Sequence, residues 1–215
     1  MRTFAVQDVW FILQAAQWTV LLSLIAFTGG TIGGLTVALA RTSDHPLLRC
    51  LATVFIQVFQ GTPLLMQLFL VFFGAPVFGL DVSPWAAASI SLVLNTSAFL
   101  GEIWRGSIQA IPRGQWEAGD ALGLSYAVRM RKVVLPQAWK IALPPTVGYM
   151  VQVIKGTSLA AIIGFTEITR AGQIINNATF EPLTVFSVVG ALYFALCWPL
   201  SLWAGRIERR QALAR

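Results

Sequence analysis

Long uncharged runs separated by short basic stretches set the pattern of this chain. No charged residue falls between Val9 and Ala40, Cys50 and Leu80, Val82 and Gly101, Ile141 and Ile154, or Pro182 and Gly205. Lys155 alone interrupts the fourth run, which resumes from Gly156 to Thr166. About 20 apolar residues wound as a helix cross the hydrocarbon layer of a bilayer, and a helix satisfies its own backbone there. The pattern therefore predicts an all-α integral membrane protein, one domain over residues 1–215, with five transmembrane helices near 14–40, 51–79, 84–105, 138–164 and 183–205. The first run is far longer than the roughly 7–15 residues of a secretory signal core, so it reads as a permanent span.

Composition agrees with that reading. With 56% hydrophobic residues and a mean hydropathy of +0.71, 215 residues could not hide their apolar surface in a water-soluble core. Charge adds an orientation. Twelve of the fifteen lysines and arginines fall on one side: Arg41 and Arg49 after the first span, Arg105 to Lys140 around the centre, and Arg206 to Arg215 in the tail. The positive-inside rule then places the N-terminus outside and the C-terminus in the cytoplasm. The net charge of +6 is accounted for by this asymmetry and implies no nucleic-acid partner.

Between the third and fourth runs lies a polar, basic island, EAGDALGLSYAVRMRKVVLP, from Glu117 to Pro136. Its pattern predicts two short helices, Gln115 to Leu122 and Ser125 to Lys132, within a loop over 112–136. Ser125 is the N-cap of the second, and Gly123 is the hinge, because a left-handed C′ position costs glycine least. Ala118, Gly119 and Ala121 leave a face without bulk that a partner's groove could close upon. Val133 to Pro136 would then turn the chain back towards lipid.

Polar residues inside the apolar runs are the other candidates. Gln60, Thr62 and Gln67 surround Pro63, which removes a backbone donor, so carbonyls there need new partners. A proline kink with interhelical hydrogen bonds and a pore-lining role are both open. Asn95 and Glu102 are two helical turns apart and share a face. Glu102 either faces a pathway at membrane depth or pairs with Arg105 near the interface. Lys155, Thr157 and Ser158 flank Gly156 in a run that suggests a broken helix lining water, with pairing of Lys155 to Glu102 as the plainer option. Pro144-Pro145 predicts a kink lower in the same span, and Gly29, Gly30, Gly33 and Gly34 predict close helix packing in the first.

Glu117-Ala118-Gly119, three residues to Gly123, nine more to Val133, then Leu135-Pro136, resembles the cytoplasmic signature loop of ABC-importer permeases. In that family the pattern is Glu-Ala-Ala, three residues, Gly, nine residues, Ile-x-Leu-Pro. Phe59 to Phe69, FQGTPLLMQLF, and Ile154 to Leu159, IKGTSL, are similar to stretches of its polar amino acid subfamily. The resemblance runs from about Gln17 to Arg210. It implies that Glu117, Ala118, Gly119, Gly123, Leu135 and Pro136 dock a separate ATPase. Further, it implies two ATP-binding subunits, a second permease copy or paralogue, an external substrate-binding protein and an amino-acid substrate. Gln60, Thr62, Asn95, Glu102, Lys155, Thr157 and Ser158 would line or shape the substrate pathway. Family members often carry an acidic or amide residue at the position of Gly156, which weighs against a strictly cationic substrate.

The chain has no G-x-x-x-x-G-K-[ST] phosphate loop, so it carries no cofactor of its own in this reading, and ATP with Mg²⁺ belongs to the partner. One histidine, His45, and two cysteines, Cys50 and Cys197, form no metal-ligand or disulfide pattern. An enzyme is thereby excluded in favour of a transport subunit. The rival from another class is a membrane scaffold or sensor whose loop docks some other soluble partner. It leaves the polar residues inside the spans unexplained.

Overall fold

The computed structural model describes residues 2–212; Met1 and residues 213–215, with Arg215 of the basic tail, lie outside it. All regular structure among the described residues is helical. Nine α-helices are α1 (Val6–Thr42), α2 (Pro46–Gly61), α3 (Leu64–Gly74), α4 (Pro84–Gln109), α5 (Arg113–Ala121), α6 (Tyr126–Arg129), α7 (Leu135–Gly156), α8 (Ile168–Thr179) and α9 (Pro182–Ala212). Helices α1, α4, the run Tyr126–Ile163 and α9 are each long and apolar enough to cross a membrane.

The predicted second span is not one straight helix. Pro46–Gly61 and Leu64–Phe78 meet at 101°, broken at Thr62 and Pro63. Pro63 has no N–H to donate, and Thr62 before it sits in extended backbone, as residues before proline prefer. The turn expected at Val133 to Pro136 is also absent: α6 passes through a π turn, Met130–Val134, directly into α7. That wider turn suits Pro136, because Leu135 N–H reaches back to Met130 O just before the residue that can donate nothing.

Pro144 and Pro145 do not break α7 either. The carbonyl that Pro144 leaves free is that of Lys140, and the side-chain amide of Gln211, at the end of α9, donates to it. Further on, α7 tightens into a 3₁₀ segment, Thr157–Ile163, ending at Gly164 with φ +87°. The broken helix expected beside Lys155 is thus a change of pitch.

Close packing of α1 on α4 holds the bundle together. A Cβ on Gly30 would stand 2.3 Å from Thr96 Cγ2, and one on Gly33 2.2 Å from Ser97 Oγ, so only glycine permits this approach. The principal core gathers Leu22 and Ala26 of α1, Leu68 of α3, Leu92 of α4 and Val153 of α7. A second core joins Ile12 and Ala15 of α1 to Ile168, Ala171 and Ile175 of α8 and to Val185 of α9. Helices α5 and α6 lie at the end holding Arg41 and Arg206, hereafter the basic end. The short helix α8 lies at the opposite end.

Candidate functional site

The bend between α2 and α3 assembles a polar cluster inside the bundle. Gln67 is buried in the first turn of α3, and its amide Nε2 donates to Phe59 O at 2.8 Å, Thr62 O at 3.0 Å and Thr62 Oγ1 at 3.0 Å. These are acceptors that the helix break leaves without a helical donor. Gln67 Oε1 in turn accepts from Asn95 Nδ2 at 3.2 Å, and Tyr149 OH of α7 donates to Asn95 Oδ1 at 3.1 Å. Ser91 Oγ donates to Gln67 O at 3.4 Å, and Gln60 Nε2 donates to Ala98 O at 3.2 Å. Amides and hydroxyls from α2, α3, α4 and α7 thus satisfy one another where no water need enter. Above them, Gly61, Thr62 and Pro63 form an exposed rim.

Thr62 and Asn95 are thus joined through Gln67, and Gln60 ties α2 to the backbone of α4. Gln67, polar in the sequence, proves to be the hub. Tyr149 had no signal beyond being a lone tyrosine in an apolar run.

Glu102 does not join this cluster. Its carboxylate is gripped by Arg105, which donates from Nε at 2.8 Å and from a second guanidinium nitrogen. The suggested pairing with Lys155 is not formed. Lys155 is exposed on α7, with no ion pair among the described residues. Thr157 and Ser158 bond back to their own helix, to Ile154 O and Lys155 O, both at 2.7 Å. Gly156 faces Leu64 and Leu92, whose methyls would lie 3.2 and 3.4 Å from an added Cβ.

The second assembly is the two-helix arm at the basic end. Gly123 has φ +67°, and its N–H donates to Asp120 O at 2.9 Å while Leu124 N–H donates to Gly119 O at 3.0 Å. This is a Schellman ending, which requires the left-handed residue that Gly123 supplies. Glu117 and Ala118 are exposed on α5, whereas Gly119 is covered by the chain itself. A Cβ there would meet Arg129 Cδ at 2.7 Å, so at Gly119 the bare face takes the stem of Arg129, while Ala118 and Ala121 stay exposed.

Arg129 pins α5 to α6. Its guanidinium pairs with Asp120 and lies 5.6 Å from the centre of the Trp116 ring. In the sequence it read only as one basic residue near a helix end. Leu122 at the tip is 77% exposed, more than Tyr126 or Val128 of α6. Leu135 packs with Ile108, Met130 and Val134, and Pro136 is exposed. Ser125 precedes α6 as its N-cap residue but makes no side-chain capping bond.

At the opposite end, Glu167 is fully buried before α8. It accepts from Arg170 N–H at 2.9 Å and from Tyr193 OH at 2.6 Å. Burial pushes its carboxyl above the ordinary value of 4.5, although these hydrogen bonds to the anion oppose the shift. The fold, not the local sequence, supplies this burial.

Apolar spans around a self-satisfied polar break, with a pinned arm at one end, define a multi-pass membrane transport subunit. The chain belongs to the family of binding-protein-dependent transport system inner membrane components, whose family model matches residues 30–213. It is accordingly an ABC-importer permease of the inner membrane. Over 208 residues it is 36% identical to the probable amino-acid ABC transporter permease protein YckA of Bacillus subtilis (strain 168), covering 97% of this chain and 92% of that protein. Over 204 residues it is 36% identical to the glutamine transport system permease protein GlnP of Escherichia coli (strain K12), covering 94% and 93%. A crystal structure of an amino acid ABC transporter with histidines superposes with a TM-score of 0.90 at 33% identity, over 95% of this chain and 96% of that one.

Proposed function

We propose that this chain is the membrane-spanning subunit of an ATP-driven importer for neutral polar amino acids. The observation that carries the reading is its likeness, over nearly its whole length, to permeases of amino-acid transporters. The site chemistry favours a neutral side chain. The buried cluster consists of amides and hydroxyls, the Glu102 carboxylate is occupied by Arg105, and leucine methyls rather than an acidic group surround Gly156.

In this reading two such permeases stand side by side on two ATPase subunits, which bind ATP and Mg²⁺. A binding protein docks at the end carrying α8, the N-terminus faces outside and α5 faces the cytoplasm. Glu117, Ala118 and Leu122 enter the ATPase surface, and Arg129 makes α5 and α6 one lever that runs into α7. Closure of the ATPases drives the lever, and with it the balance between outward-open and inward-open states. Thr62 and Gln60 at the rim contact the passing amino acid, and Asn95, Gln67 and Tyr149 hold the rim's shape. Lys155, Thr157 and Ser158 border the outer part of the pathway.

The test is uptake of a panel of labelled amino acids by cells expressing this chain with its neighbouring genes, beside cells carrying Glu117→Arg. Uptake of neutral polar amino acids that disappears in the variant, at equal membrane abundance, is expected. Uptake that survives Glu117→Arg rejects coupling through α5, and uptake of no amino acid rejects the substrate class.

A further inference from the structure

At the basic end, the turn between α1 and α2 and the turn between α4 and α5 border an open cavity of about 560 Å³. Arg41, Arg49 and Arg113 line it, with Asp44 as the single carboxylate in its wall. None of these three guanidinium groups has an ion pair among the described residues, and Arg41 Nε is buried without a hydrogen-bond partner. Glu102 lies within electrostatic reach of Arg41, but Arg105 already holds its carboxylate. Arg105 and Arg129, by contrast, are paired. Three cations sharing one cavity with one carboxylate leave a place for an anion.

Ile108 forms part of this wall and also of a second cavity, of about 320 Å³, between α1, α4 and α7. Leu35, Ala38, Trp104, Ala138 and Trp139 line that groove, and it opens outward where Leu35 and Trp139 are half exposed. From Thr31 in the groove to Arg41 in the cationic cavity is about 15 Å along α1, half the thickness of a bilayer's hydrocarbon layer. Tryptophans at such a boundary sit at headgroup level.

We propose that the two cavities are one site for an anionic phospholipid, its phosphate on Arg41, Arg49 and Arg113 and one acyl chain in the groove. Basic pockets between membrane helices bind such headgroups. A free phosphate would use the cationic cavity alone, whereas the adjoining open apolar groove calls for a chain attached to the anion. The site is independent of which solute the protein carries.

The full chain, purified in neutral detergent with the subunits that accompany it, is titrated with phosphatidylglycerol, phosphatidylcholine and inorganic phosphate and followed by native mass spectrometry. One phosphatidylglycerol per chain is expected to be retained, and no phosphatidylcholine. Combined Arg41→Gln, Arg49→Gln and Arg113→Gln is expected to weaken retention roughly 100-fold. Replacing Arg206, Arg209 and Arg210 by Gln, which removes the same charge elsewhere, leaves retention unchanged. Leu35→Trp, which narrows the groove and keeps the arginines, weakens it as well. Should the triple variant not fold, Arg49→Gln, at an exposed position of α2, serves alone, with a loss of about fivefold.

Phosphatidylglycerol retention unchanged in the arginine variants overturns the proposal. So does displacement of the lipid by inorganic phosphate with Leu35→Trp without effect, the signature of a free-anion site. Loss of an accompanying subunit from the triple variant with lipid retention intact likewise overturns it, and would make the arginines a protein-docking surface.

Discussion

Glu167 carries the clearest electrostatic consequence at the scale of a single residue. Its carboxyl is pushed up by burial, so the folded protein holds this proton more tightly than the unfolded chain. The resulting stability is complete below pH 4.5 and is lost as pH rises through the elevated value. Glu167→Gln keeps an acceptor for Arg170 N–H and removes the titration. The expected outcome is a melting temperature, measured in detergent, that declines with pH across this window in the parent and declines less in the variant; parallel curves reject the assignment. Asn95 and Gln60 were legible because an amide in an apolar run has few places to go. Glu167 was not, since only folding brings the Tyr193 hydroxyl to it.

Among the elements, the bend between α2 and α3 separates two causes that the sequence joins. Pro63 starts the break, but Gln67 satisfies what the break exposes. Pro63→Ala is therefore expected to change stability little, because the amide still holds Phe59 O and Thr62 O. Gln67→Leu leaves Thr62 O without its donor, and leaves Phe59 O and Asn95 Nδ2 only their mutual bond of 3.3 Å, and is expected to cost about 1–3 kcal/mol. Melting temperatures of the two variants decide it, and equal losses would mean that the ring of Pro63 alone sets the angle. Sequence reasoning foresaw helices and polar kinks correctly in kind. It did not foresee how the carbonyl freed by Pro144 is satisfied, because the donor, Gln211, comes from α9, far along the chain. A local pattern contains no trace of such a partner.

For the whole molecule, orientation rests on the basic residues, and it can be read directly. In a Cys50→Ser, Cys197→Ser background, single cysteines at Gly114 on α5 and Asn177 on α8 mark the two exposed ends. A membrane-impermeant maleimide applied to spheroplasts is expected to label Asn177→Cys, and Gly114→Cys only after permeabilisation; the reverse pattern would invert the topology. Five hydrophobic runs were visible at once because lipid demands length and apolarity of every span. The 101° elbow was not, since hydropathy is blind to direction.

One feature of α7 ties its two ends together. Thr157–Ile163 is wound as a 3₁₀ helix between Gly156 and Gly164, and four non-helical residues, 164–167, join it to α8. Seven residues rise about 2.0 Å each in that winding and about 1.5 Å as α-helix, so rewinding would shorten the segment by about 3.5 Å and rotate its far end by about 140°. The stretch has the geometry of a screw thread, in which a change of twist is also a change of length.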